Sequence, residues 1–264
     1  MRVDLQLKPL TIKVHVLRVK KFLEFLNGDL ESLNDVTIRK YLSLLTGFNP
    51  ATYSNVVKSL RRFVRDFLGK QELMKTFRLP YLGFRSKPIP TKEQIREGYY
   101  ALRTPKQKLI YLLYAVTGLR ESELKELKLT DIDLQNRCIR ARHDSLTKRA
   151  FCTFWNSEVD VLLREYLDRH KDEIIENGGR IFRFSWSSLR RMRELVERKT
   201  GGRITPRVLR KWFCNEMLSK GIQEVYVDAF CGRVPKSILA RHYTDFSPER
   251  LKEIYDKAEL KILS

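Results

Sequence analysis

"TGLRESELKEL", residues 117–127, carries the reading of this chain outward. Gly118 ends the apolar run "PKQKLIYLLYAV" (105–116) and permits a sharp turn. Arg120 follows at once, before a second helix that Ser122 or Glu121 is expected to open. An arginine at the junction of two apolar helices is poorly placed to reach bulk water. Glu123, three residues on, can hold the guanidinium by charge-assisted hydrogen bonds and fix its fork. Taken alone, the motif is a structural Arg–Glu pair.

Two later stretches add cations. "TPRVLRKWF" (205–213) sets Thr205 as a helix cap and Pro206 at the first helical position. Arg207 and Arg210 then lie three apart on one face of the first turn, where unpaired N–H groups already favour phosphate. "CGRVPKSILARHYTDF" (231–246) places Arg233 ten residues before Tyr243, with His242 beside that tyrosine. Between these regions "NRCIRARH" and "RAFCTFW" alternate around "DSLTK" and read as a hairpin carrying Lys148, with Arg142 as a weaker rival. Helices fill the remainder, ending in "SPERLKEIYDKAELKIL", whose apolar stripe is Leu251, Ile254, Ala258 and Ile262. Trp155, Trp186 and Trp212 read as core aromatics, and His15, His143 and His170 as non-catalytic.

The first ninety residues read as helices. One stripe carries Ile12, Val16, Val19, Leu23 and Leu26, and the next helix is capped by Asn34 or Asp35. In "NPATYSNVVKSLRRFVRDFLG" (49–69) Val56, Leu60, Phe63 and Phe67 are expected to face inward. Lys58, Arg61, Arg62 and Arg65 fall at i, i+3, i+4 and i+7, a cationic stripe with Asp66 outside it, which suits DNA phosphates. Three prolines in "RLPYLGFRSKPIPTKEQ" (78–94) mark a linker. The expected organisation is a helical DNA-binding domain at 1–78, a linker at 79–90, and a second, larger domain at 91–264.

The chain has 52 Lys and Arg against 32 Asp and Glu, a formal charge of +20 over 264 residues. Residues 1–90 hold 17 basic and 7 acidic residues, so both halves are basic and a polyanionic partner is expected. The four cysteines are scattered with no zinc-ligand spacing and read as small core residues of a reducing compartment. No apolar run is long enough to span a bilayer, and "MRVDLQLKPL" lacks the apolar core of a secretion signal. These features predict a soluble, cytoplasmic protein with no membrane partner. With no phosphate-cradling GxxxxGK[ST] loop and no tight Asp/Glu/His cluster, the chain is expected to need no metal and no cofactor.

Together, "TGLRESEL", the hairpin lysine, "TPRVLR" and the tyrosine after "CGR" resemble the tyrosine recombinase/integrase family over about residues 90–264. That family carries a TGLRxSEL arginine, a β-hairpin lysine, an HxxR pair after Thr-Pro, a late His or Trp, and a tyrosine about nine residues further. Arg207 stands here for the HxxR histidine and Arg233 for the late His or Trp, with a spacing to Tyr243 one residue longer. Such basic replacements look like the divergent branch from archaeal viruses and plasmids. Since arginine does not give up a proton near neutral pH, neither position can act by titrating.

The resemblance implies a mainly α fold with a small antiparallel β-sheet and a two-domain, C-shaped clamp around double-stranded DNA at an attachment site. It implies that Arg120, Arg207, Arg210 and Arg233 hold the scissile phosphate, supported by Glu123 and His242. Tyr243 would attack phosphorus to form a 3′-phosphotyrosyl link, and Lys148 would protonate the leaving 5′-oxygen. Each guanidinium aimed at the developing charge can contribute roughly 3 kcal/mol. Tyr226 and Tyr255 are the alternative nucleophiles. The implied activity is integration and excision of a mobile element by a homotetramer assembled on DNA through the terminal helix, with a monomer or dimer when free. Chromosome-dimer resolution, type IB topoisomerase-like relaxation and non-catalytic DNA binding are the other readings.

Overall fold

In the computed structural model, which describes residues 6–83, 88–140, 151–235 and 237–264, the chain divides into two compact units, residues 1–86 and 87–264. The first unit is built from α1 (Pro9–Phe25), α2 (Asp35–Ser43) and α3 (Pro50–Leu60). Pro9 and Pro50 start α1 and α3 at their first turns, where a missing N–H costs nothing. Asn34 caps α2, accepting from the Thr37 N–H at 2.9 Å while Thr37 Oγ1 accepts from the Asn34 N–H. Phe22, Ile38, Val57, Leu60 and Val64 are fully buried at the centre of this unit.

Two positions of the expected stripes are corrected. Val16 is exposed, while Val19 and Leu23 of the expected stripe pack against the core beside the buried Phe22 and the C-cap Leu26, and His15 turns inward against α3 with its Nδ1 2.8 Å from Ser59 Oγ. Phe67 is also exposed, at 77%. Beyond Leu60 the helix widens into a π-helical segment, Arg61–Phe67, in which the Leu68 N–H donates to the Phe63 carbonyl. The added residue in the turn swings Phe67 off the stripe that a regular α-helix would keep.

The second unit is organised around α5 (Pro105–Thr117), whose residues 109–117 are all buried. Such a helix has no wet face and therefore lies at the middle of its unit. Around it stand α4 (Lys92–Tyr100), α6 (Glu121–Glu126), α7 (Ser157–Arg169), α8 (Lys171–Glu176), α9 (Trp186–Thr200), α10 (Pro206–Ser219), α11 (Glu224–Phe230), α12 (Ile238–His242) and α13 (Pro248–Lys257). Strands β1 (Ile132–Asp133), β2 (Cys138–Arg140) and β3 (Cys152–Phe154) form an antiparallel sheet in the order β1-β2-β3, with Ile139 paired to Ile132 and to Thr153. The chain is thus mainly α with a small antiparallel sheet. Trp155 and Trp212 are core residues.

The terminal helix is shorter than its apolar stripe suggests. It ends at Lys257, and Glu259 turns left-handed with φ 43°. Leu260 and Ile262 are nevertheless buried within the same unit. The Glu158 carboxylate at the start of α7 accepts the N–H groups of Ile262, Leu263 and Ser264, and Arg96 Nε donates to the Ile262 carbonyl at 2.9 Å. Among the described residues no helix is long and apolar enough to cross a membrane.

Candidate active site

The α5–α6 junction shapes the site. Gly118 is left-handed with φ 66°, and a Cβ there would stand 2.6 Å from the Phe213 ring and 3.1 Å from Cys231 Sγ. Only glycine satisfies both the backbone and the space. Two residues later Arg120, not Ser122 or Glu121, sits at the N-cap of α6. Its own side chain cannot accept the free helix N–H groups, so Glu123 folds back instead. Glu123 Oε2 accepts from the Arg120 backbone N–H at 2.7 Å, and Oε1 accepts from Arg120 Nη1 at 2.5 Å.

Arg210 comes to the same place from α10, which is capped by Thr205. Its Nη1 donates to the Gly118 carbonyl at 2.5 Å and stands 3.8 Å from Glu123 Oε2. Its Nη2 donates to the Cys231 carbonyl at 2.6 Å. Burial, the largest effect, lowers the Arg210 pKa, and the Arg120 guanidinium pushes it the same way; Glu123 opposes them. Two guanidiniums side by side with one shared carboxylate leave an excess of positive charge, the condition an incoming anion would relieve.

A helix stop supplies the third guanidinium. After α11, Gly232 turns left-handed with φ 58°. The Gly232 N–H donates to the Ala229 carbonyl and the Arg233 N–H to the Asp228 carbonyl, the double bond of a Schellman cap. That turn presents the Gly232 carbonyl to Arg120 Nη2 at 3.5 Å. Arg233 itself donates from Nη1 to Asp228 Oδ1 at 2.5 Å and lies with Nη2 3.9 Å from Cys214 Sγ. Residues 231–233 therefore hold or carry all three guanidiniums.

The other expected residues are less tightly placed. Arg207 is exposed on the first turn of α10. Tyr243 ends α12 with its side chain 79% exposed, its N–H donating to the Leu239 carbonyl at 2.9 Å, and among the described residues nothing hydrogen-bonds its hydroxyl. His242 is exposed beside it. Lys148, with Arg142 and His143, lies outside the described residues. Tyr255 is structural: its hydroxyl donates to the Val116 carbonyl at 2.8 Å, and burial pushes its pKa up. Tyr226 packs against Phe246.

In the first unit Lys58, Arg61, Arg62 and Arg65 line one cleft of about 670 Å³ with Arg18, Asn55 and Asp66. Asp66 is not outside the stripe: it accepts from Arg65 Nε at 2.6 Å. Arg61 Nη2 turns back to the Phe77 carbonyl, so its charge is partly used within the unit.

Sequence reasoning missed the backbone carbonyls of Gly118, Cys231 and Gly232 as arginine partners, since they depend on tertiary contact. It also missed that Cys214 and Cys231 meet. One signal was present: Cys214 follows Arg210 by four residues and so shares its helix face.

Residues 91–250 match the phage integrase family, the family of tyrosine recombinases. That match covers more than half of the chain, and the chain belongs to this family. The tyrosine recombinase XerA of Saccharolobus solfataricus is 28% identical over 261 residues, spanning 94% of this chain and 86% of that protein. Among solved structures, the XerH site-specific recombinase bound to difH substrate aligns over 96% of this chain and 80% of its own, with a TM-score of 0.66 and 20% identity. The Tn1549 transposon integrase in complex with circular intermediate DNA gives a TM-score of 0.66 at 17% identity, over 96% of this chain and 95% of its own. At such identities the likeness concerns the fold. Members of the family are site-specific recombinases that act through a tyrosine nucleophile.

Proposed function

We propose that this protein cleaves and rejoins duplex DNA at a specific site through a covalent link to Tyr243, exchanging strands between two sites. The observation that carries the reading is the placement of Arg120 and Arg210 around Glu123, both donating to carbonyls of the turn at 231–233 that itself carries Arg233. A phosphodiester gains charge on its non-bridging oxygens as it is attacked, and preorganised guanidiniums stabilise that charge without reorganising. Arg207 at the N-terminus of α10 extends the same field. Tyr243, on a short and solvent-facing helix, can swing its hydroxyl to phosphorus. Lys148 then supplies a proton to the departing 5′-oxygen, and His242 steers the tyrosine. The covalent intermediate conserves the energy of the broken bond, so religation needs no nucleotide.

Lys58, Arg61, Arg62 and Arg65 in the first unit contact the phosphates of the same duplex, and the active assembly on DNA is a homotetramer. Residues 1–78 form the accessory DNA-binding domain, 79–90 the linker and 91–264 the catalytic domain. The biological outcome is integration and excision of a viral or plasmid element in the host cytoplasm.

A nicked suicide duplex of the attachment site, incubated with wild type and Tyr243→Phe, tests the reading on a denaturing gel. A protein–DNA adduct is expected from wild type alone. Equal adduct from the variant assigns the wrong tyrosine, and none from wild type on a bound site leaves a DNA-binding protein. Plasmids bearing one site or two repeated sites then separate integration from resolution and from simple relaxation.

A further inference from the structure

The described structure brings the four cysteines, scattered in sequence, together in two pairs, and one pair lies against the arginines. Cys214 on α10 and Cys231 at the end of α11 have their Sγ atoms 3.4 Å apart. Cys231 is fully buried, whereas Cys214 is partly open to solvent. Both touch the anion site: the Cys231 carbonyl accepts from Arg210, and Cys214 Sγ faces Arg233 Nη2 at 3.9 Å. The other pair, Cys138 on β2 and Cys152 on β3, has Arg140 beside it.

We propose that Cys214 and Cys231 form an oxidation site whose substrate is a peroxide, and that closing this pair as a disulfide disables the arginine cluster. The inference rests on the reading of Arg120, Arg210 and Arg233 as phosphate ligands. In the first step the Cys214 thiolate attacks one peroxide oxygen; the O–O bond breaks, and hydrogen peroxide leaves one oxygen on sulfur as a sulfenic acid and departs as hydroxide. Cys231 sulfur then attacks the Cys214 sulfur, the S–O bond breaks, and the oxygen leaves as water with the Cys231 proton. Two thiols and one hydrogen peroxide give one disulfide and two waters. The hydrogen bond from Cys231, with Arg233 and Arg210 close by, lowers the Cys214 pKa, and the same bond raises that of Cys231. The partly exposed sulfur is therefore the nucleophile and the buried one the resolving thiol.

The consequence for the site is geometric. A disulfide holds its sulfurs about 2 Å apart, so closure draws α10 and the 231–233 turn together from the 3.4 Å separation. That turn carries the carbonyls that orient Arg210 and Arg120, and Arg233 itself. Gly118, whose carbonyl also orients Arg210, lies against the same elements, since a Cβ built there would meet Cys231 Sγ at 3.1 Å and the Phe213 ring at 2.6 Å. Oxidation also removes the thiolate that faces Arg233. A displacement of about 1 Å in a positioning group can cost on the order of 100-fold in rate.

The full-length protein is treated with hydrogen peroxide, mapped by non-reducing peptide mass spectrometry, and assayed for adduct formation on the suicide duplex and for affinity to the same duplex. A Cys214–Cys231 link is expected, with adduct formation down about tenfold or more and restored by dithiothreitol. Cys214→Ser, which lacks the attacking sulfur, should show the same adduct rate with and without peroxide; Cys214→Ala is the second variant should the first lower the melting temperature. Absence of the link overturns the proposal. So does a link that changes neither adduct rate nor affinity, or peroxide inhibition of the Cys214 variants equal to that of wild type. Reduced wild type that forms no adduct contradicts the recombinase reading instead, while the mapped link and the affinity still score the oxidation site.

Discussion

Glu123 accepts from both the backbone and the guanidinium of Arg120 and stands 3.8 Å from Arg210, with only 7% of its side chain exposed. One carboxylate thus sets two forks, and removing its charge leaves two neighbouring guanidiniums without their common partner. Glu123→Gln keeps the size and can still accept from the Arg120 N–H, so the fold is expected to survive with a lowered melting temperature. Adduct formation should fall roughly 10- to 100-fold as the forks lose their aim, while affinity for the duplex changes little. An unchanged adduct rate would show that Arg120 and Arg210 are aimed by their carbonyl partners alone. The Arg120–Glu123 pair was legible in "TGLRESEL" because an i,i+3 contact is local. Which carbonyls complete the arrangement was not, because Gly118, Cys231 and Gly232 meet the arginines only once α5, α10 and α11 have packed.

At the scale of elements, the junction between α5 and α6 depends on Gly118. Alanine there adds a left-handed backbone cost of about 1–2 kcal/mol, and its Cβ meets the Phe213 ring at 2.6 Å, an overpacking worth roughly 1–3 kcal/mol. Gly118→Ala should therefore lower the denaturation midpoint strongly, and a stability equal to wild type would refute the packing argument. The α1–α3 contact makes a different prediction. Burial, followed by the charges of Arg62 and Arg18, lowers the His15 pKa below its ordinary value. The unfolded chain then binds more protons than the folded one, so stability is full above about pH 6.5 and declines as pH falls below it. Hydrogen exchange of α1 and α3 amides should quicken from pH 7.5 to 5.5 after correction for the intrinsic rate, and His15→Gln should flatten that trend. Caps and apolar runs made most helices readable: Asn34 and Thr205, read as caps, stand where their side chains accept from the first turn. Val16 and Phe67 were misjudged, where His15 turns inward to Ser59 and a π-helical turn replaces regular α-periodicity.

For the whole molecule, a formal charge of +20 spread over both units makes counterion release the main sequence-independent contribution to DNA affinity. The logarithm of affinity should fall linearly with the logarithm of salt, and each lost phosphate contact should reduce the slope by about 0.9. The cleft in the first unit allows a ranking that charge alone does not. Arg65 is paired with Asp66, and Arg61 is turned to the Phe77 carbonyl, whereas Lys58 and Arg62 have no ion-pair partner among the described residues. An arginine already paired gives up an internal contact to reach phosphate, so its net contribution is smaller. Lys58→Ala and Arg62→Ala should each lower the slope by about one unit on a duplex of arbitrary sequence, and Arg61→Ala and Arg65→Ala by less. Fluorescence anisotropy over a series of salt concentrations measures all four slopes. Equal losses at the four positions would mean that DNA breaks the Arg65–Asp66 and Arg61–Phe77 contacts on binding; no loss at any would move the phosphate path off this cleft.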